Sequence, residues 1–196
     1  MTRPARLAVR WASGDPDATR AALVAALGVE PGAGGRIELA NATLEVVPAG
    51  PGVPPLALEE REGGVGDVVA GDRADLAGDR ADPARPVLAG IGWATVDLER
   101  AAAAWPDRRL HRGAPEPGLG ATTLVEGGAV PGGIALVLLE PATEGRLAAT
   151  LARHGEGPAV LYVVRAGAGP RHLIRLPIVT GPHLILGEPP GLPSIS

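Results

Sequence analysis

The chain contains no cysteine, which excludes disulfides, thiolate metal sites and cysteine nucleophiles. Phenylalanine is missing too, and there is one tyrosine, Tyr162, and one methionine, at position 1. Core bulk must therefore come from Leu, Val, Ile and Ala, with three tryptophans as the larger side chains. Serine occurs only at Ser13, in a turn pattern, and at Ser194 and Ser196 in the tail. Without a GxSxG context, a serine nucleophile has no support. P-loop and HExxH patterns are absent as well. The formal net charge is -4 with no basic stripe, which argues against a nucleic-acid partner. No apolar run approaches the roughly 18 residues that span a bilayer. The opening "MTRPARLAVRW" lacks a signal-peptide core. A soluble cytoplasmic protein is the expectation.

What is present is a repeat. "RLAVRWASGDPDATRAAL" (6–23) lies over "VLAGIGWATVDLERAAAA" (87–104), with Trp11 matching Trp93, Ala12 matching Ala94 and Asp15 matching Asp97. Each copy reads as a strand, a turn and an alanine-rich helix. Asp15 and Asp97 are natural N-caps, Pro16 suits the first helical position, and Asp17 and Glu99 favour the positive helix end. Gly28 then stops the first helix. "RIELA" and "ATLEVVPAG" alternate with period two and read as a hairpin across Asn41, with "PLALEER" as a further strand. Residues 61–86 hold a charged duplication, "GDRADLA" then "GDRADPA", which reads as a flexible linker. The second copy continues through a Pro/Gly-rich loop (106–120) into a hairpin of "ATTLVEG" and "GIALVLLEP". A helix over "TEGRLAATLARHG" follows, ending at Gly155, and then the strands "PAVLYVVR", "HLIRLPIV" and "PHLILGE".

This order, with "IGWATVDLERAAAAW" and "LVLLEPATEGRLAATLARHGEGPAVLYVV", resembles the paired βαβββ modules of the vicinal oxygen chelate superfamily. That group includes glyoxalase I, bleomycin-resistance proteins, methylmalonyl-CoA epimerase and extradiol dioxygenases. The resemblance implies an α+β fold in which tandem βαβββ-type modules form a curved mixed sheet with helices on the outer face. The expected layout is a single glyoxalase-like domain. Its first module spans 5–60, the flexible linker 61–86, the second module 87–141, and a C-terminal helix with strands 142–196. The cup forms either from 6–60 with 87–141 or from 87–141 with 158–196. Catalytic members hold one divalent ion with His and Glu or Gln side chains. Carried across, those positions fall on Ala8 or Gly90, Val137, Val160 and Ile185, none of which can ligate a metal. The resemblance therefore implies a scaffold that has lost its metal, with no cofactor.

Parity along the strands offers other lining residues. Odd residues Val87, Ala89, Ile91 and Trp93 suit packing against a helix, whereas Leu88, Gly90, Gly92 and Ala94 would face the concavity. By the same rule Arg10, Glu38, Glu45, Tyr162 and His183 are candidate ligand-binding residues. Arg10 could fork onto a carboxylate, or simply pair with Glu38 or Glu45 across a half-exposed sheet. Trp11 and Trp93 read as core anchors. Among the histidines, His111 sits in a loop and His154 suits a helix C-terminus. His172 and His183 would stand roughly 20 Å apart in a hairpin turning at Thr180–Gly181, too far to share an ion. The leading expectation is a small organic molecule bound in the cup without metal catalysis, as sequestering members of the superfamily imply. Alternatives are a metal-dependent isomerase, lyase or dioxygenase rebuilt from Glu38, Glu45 and His183, or a dimerisation scaffold; a homodimer suits either role.

Overall fold

A computed structural model describes residues 7–60, 85–127, 133–142, 144–167, 169–176 and 181–191. Most of the segment read as a flexible linker, 61–84, lies outside them. The chain folds into two mixed sheets with helices between and beside them, an α+β architecture.

In the first sheet, β1 (Leu7–Ser13) sends Val9 and Trp11 inward and Arg10 outward. The helix α1 (Pro16–Leu27) starts where Asp15 accepts a hydrogen bond from Ala18 N at 3.0 Å, with Pro16 pre-set for the first turn. β2 (Ile37–Glu38) and β3 (Ala42–Pro48) form the hairpin across Asn41, and β4 (Leu56–Glu60) completes the order β2-β3-β1-β4. β1 runs parallel to β3 and antiparallel to β4.

The second sheet is larger. β5 (Val87–Ala94) leads through α2 (Leu98–Ala103) to β6 (Leu110–Arg112), β7 (Ala121–Glu126) and β8 (Ala135–Pro141), and β8 returns parallel beside β5. That is one complete βαβββ unit. Next come α3 (Arg146–His154), β9 (Gly157–Val164), β10 (His172–Leu173) and β11 (His183–Leu186), where β11 runs parallel to β9. The two halves join through the antiparallel pair β5–β9, giving the order β10-β11-β9-β5-β8-β7-β6. Of the two possible pairings, the chain adopts 87–141 with the C-terminal strands. The loop read over 106–120 contains β6, so His111 lies on a strand, opposite Val125.

Two local features depart from simple periodicity. A bulge at Ala89 separates the pairs Leu88↔Val163 and Gly90↔Tyr162. The extra residue inverts the alternation, so Leu88 packs with Ile91, Leu161 and Val163 rather than beside Gly90. α2 packs on one face of the second sheet, against Trp93, Leu136 and Leu138. By contrast, α3 lies on the opposite side, where Leu147 and Leu151 cluster with Val137, Val160, Tyr162 and Ile185.

Among the described residues no helix lies between β9 and β10, and the first sheet with α1 shares a core with that half. Leu23 and Leu27 share one core with Val9 and Trp11 of their own sheet and with Leu161, Val163, Leu184 and Leu186 of the other. Arg165 Nη1 donates to Ala26 O at 3.2 Å near the end of α1. Asn41 adds a second tie, donating to Leu88 O and accepting from Leu88 N, both at 2.9 Å. The segment "HGEG" delivers Glu156, whose Oε1 accepts from Thr95 Oγ1 at 2.7 Å, Val96 N at 2.9 Å and the Arg100 guanidinium. The Arg100 hydrogen bond, ahead of those from Val96 and Thr95, holds the Glu156 carboxyl down to about 2. Its task is to lock the start of β9 to the end of β5.

Candidate functional site

Two rows of side chains cross the face of the second sheet on which α3 lies. Strand registers place Leu173, Ile185, Tyr162, Gly90 and Ala135 in one row. The next row holds His183, Val160, Gly92, Val137 and Val125. The four positions to which the resemblance carried metal ligands, Gly90, Val137, Val160 and Ile185, therefore do converge on one face. Their side chains are hydrogen or hydrocarbon, with no nitrogen or oxygen donor, so the set does not fit a divalent ion.

Close packing explains why. A Cβ on Gly90 would stand 2.6 Å from the Pro189 ring and 3.1 Å from Ala135 O. A Cβ on Gly92 would stand 2.6 Å from Leu139 Cδ1 and 2.7 Å from Val160 Cβ. The chain's own Pro189, Leu119, Leu147 and Leu151 cover the floor. No imidazole fits at Gly90.

One part of this face is polar. Tyr162 is fully buried, and its hydroxyl has no hydrogen-bond partner. Glu116, 5% exposed on the loop before β7, has an equally unpartnered Oε2. Arg171 Nε lies 3.5 Å from that oxygen, an ion pair beyond good hydrogen-bond length. Burial, then the nearby Glu116 charge, pushes the Tyr162 phenol well above its ordinary value, so it remains O–H. Burial also raises Glu116, against the pull of Arg171. Buried polar atoms are nearly always hydrogen-bonded, so each of these two orphans stands out.

His183 belongs to the same face but is spoken for. Thr150 Oγ1 donates to Arg146 O at 3.0 Å and lies 3.1 Å from His183 Nε2, so the imidazole N–H points to the hydroxyl oxygen. Burial first, and then the Arg146 charge, lowers His183 to about 4 and keeps it neutral. His172 is exposed, opposite Leu186, with Nδ1 2.9 Å from Pro170 O.

The remaining candidates lie elsewhere. Arg10 pairs with Glu59 at 2.7 Å and Glu45 at 3.8 Å on the half-exposed face of the first sheet. Arg36 also approaches Glu45, and Thr43 Oγ1 donates to Glu38. Arg10, Glu38 and Glu45 thus form one solvated group, apart from Tyr162 and His183. A metal site built from Glu38, Glu45 and His183 is ruled out by this placement. Among the described residues no group of three or more His, Asp or Glu side chains could hold an ion.

A cleft of about 850 Å³ opens where β1 meets α1, lined in part by Trp11, Ser13 and Thr19. Its hydroxyls bond each other at 2.7 Å, and Asp15 is engaged as a cap. Tyr162 and Glu116 do not line it, so volume and chemistry fall in different places. The chemistry identifies the better candidate. Glu116 and Arg171 carried no signal in the sequence. One sits between prolines in a loop and the other precedes a two-residue strand, so neither has a periodic neighbour to fix its direction.

No known family profile matches the chain, and no curated protein does. Solved structures do match. Methylmalonyl-CoA epimerase from Mycobacterium tuberculosis aligns at 25% identity and a TM-score of 0.36, over 40% of this chain and 54% of its own. The Streptomyces coelicolor epimerase in complex with 2-nitronate-propionyl-CoA aligns at 20% identity and 0.36, over 41% and 63%. A hypothetical protein from Bacillus halodurans aligns at 19% and 0.35, over 40% and 58%. The chain spans less than two thirds of each of these structures. Among the described residues no helix is long and apolar enough to cross a membrane.

Proposed function

We propose that this protein binds a small organic molecule on the covered face of its second sheet, and does so without a metal centre. The observation that carries this reading is the Tyr162 hydroxyl, buried at the middle of the face with no partner. Leaving a hydroxyl desolvated and unbonded costs about 1–3 kcal/mol. A bound molecule that completes the hydrogen bond recovers that cost. Tyr162 pairs across β9 and β5 with Gly90, one of the positions onto which the resemblance carries the family's metal ligands.

The test is a fragment screen by thermal shift on the wild type and on Tyr162→Phe. Compounds that raise the wild-type melting temperature and leave the variant unmoved support the reading; identical responses across the screen sink it. The rival reading, a non-catalytic dimerisation scaffold, draws support from the leucine-filled face under α3. Sedimentation of a stable dimer that no screened compound stabilises would favour that alternative.

A further inference from the structure

The cleft where β1 meets α1 holds a hydroxyl proton with nowhere to go. Ser13 Oγ and Thr19 Oγ1 stand 2.7 Å apart, their residues 3% and 1% exposed, and both line the cleft. Ser13 Oγ also accepts from Asp15 N at 3.1 Å. Each hydroxyl brings one proton to donate. Their mutual hydrogen bond uses one of the two, whichever oxygen donates, and among the described residues no third atom accepts the other. The pair therefore presents one free O–H to a space of about 850 Å³, within the size range of small-molecule pockets. The rest of the lining narrows the class of molecule. Trp11, Val53, Pro54, Leu176 and Pro182 supply apolar walls, drawn from the first sheet and from the C-terminal half. Asp15 and Arg153 add one charge of each sign. An anion reaching the free O–H would come up beside the Asp15 carboxylate, and a cation offers that O–H nothing to donate to.

We propose that this cleft is a second ligand site, taking a compact, mainly apolar and neutral molecule whose carbonyl oxygen accepts the free O–H of the Ser13–Thr19 pair. The site stands apart from the Tyr162 reading, because Tyr162 does not line the cleft. Its occupant touches both halves of the chain, Trp11 on one side and Leu176 on the other.

Three probes on one cyclohexyl frame test the class: cyclohexyl methyl ketone, cyclohexanecarboxylate and 1-cyclohexylethylammonium. Each is titrated at pH 7.5 into the full chain, with backbone amide NMR shifts followed along residues 11–19 and 49–55. The ketone is expected to give saturable shifts there, at an affinity about fivefold above either ion. Ser13→Ala and Thr19→Val each leave one hydroxyl proton, so each is expected to hold the ketone within about twofold of the wild type. The double variant has no proton left and is expected to weaken the ketone about fivefold, the fold-change of one neutral hydrogen bond. Equal or tighter binding of either ion, or a double variant that binds the ketone undiminished, overturns the proposal. The comparison of probes on the wild type decides the matter even where the double variant fails to fold. A ketone that shifts nothing along the two segments also overturns it; shifts along the Tyr162 strand instead would do so while leaving the Tyr162 reading standing.

Discussion

Tyr162 keeps its ring packed among Val160, Ile185 and Leu147 while its hydroxyl goes unanswered. Tyr162→Phe retains the packing and removes the desolvated oxygen. In ligand-free protein it should raise unfolding stability by about 1–3 kcal/mol, read from urea midpoints, while abolishing binding. A fall in stability would mean that the hydroxyl does contribute to the fold. His183 makes a different prediction. Folded, it titrates at about 4; unfolded, near 6.5. Between those values the unfolded chain binds more protons, so the His183 contribution is full above about pH 6.5 and is lost as pH falls towards 4. The slope is at most about 1.4 kcal/mol per pH unit. Glu116, raised by burial, titrates with the opposite sign, and Glu156, lowered to about 2, acts only below the ordinary carboxylate range. The comparison of wild type with His183→Gln is therefore the measurement: the variant should lose less stability between pH 7 and pH 4.5.

Strands and helices show what a sequence can and cannot disclose. The twin tryptophan motif announced β1–α1 and β5–α2, and the capping aspartates perform as their position suggests, accepting from Ala18 N and Arg100 N. These are local signals, written within four residues. The Asn41 hairpin and the β7–β8 hairpin were legible for the same reason. Partner choice was not, because β1 and β9 are both apolar enough to lie beside β5. The Ala89 bulge was invisible because one extra residue changes facing without changing composition. Parity put Tyr162 and His183 on one face, as the strand registers do, whereas Glu116 and Arg171 come from loops that parity does not reach. Gly90 tests the element-level packing. Gly90→Ala should cost about 1–3 kcal/mol, since its new methyl meets Pro189 and the Ala135 carbonyl. A neutral result would show that the Pro189 segment yields easily.

At the level of the whole molecule, the two sheets share a core that includes Leu23 and Leu27 of α1, so they should unfold together. Asn41→Ala removes both hydrogen bonds to the Leu88 backbone and should cost about 1–3 kcal/mol while preserving a single transition. Fluorescence of Trp11 in the first sheet, and of Trp93 and Trp105 near α2 in the second, reports the halves separately in tryptophan-to-phenylalanine pairs. Divergent midpoints would contradict the shared core. A practical consequence follows from the core that the first sheet and α1 share with the C-terminal half. Anyone trimming the chain at residue 85 to harvest the larger sheet would strip the roof from Leu161, Val163, Leu184 and Leu186. The product would carry a bare aliphatic stripe and should precipitate unless residues 7–60 are returned to it.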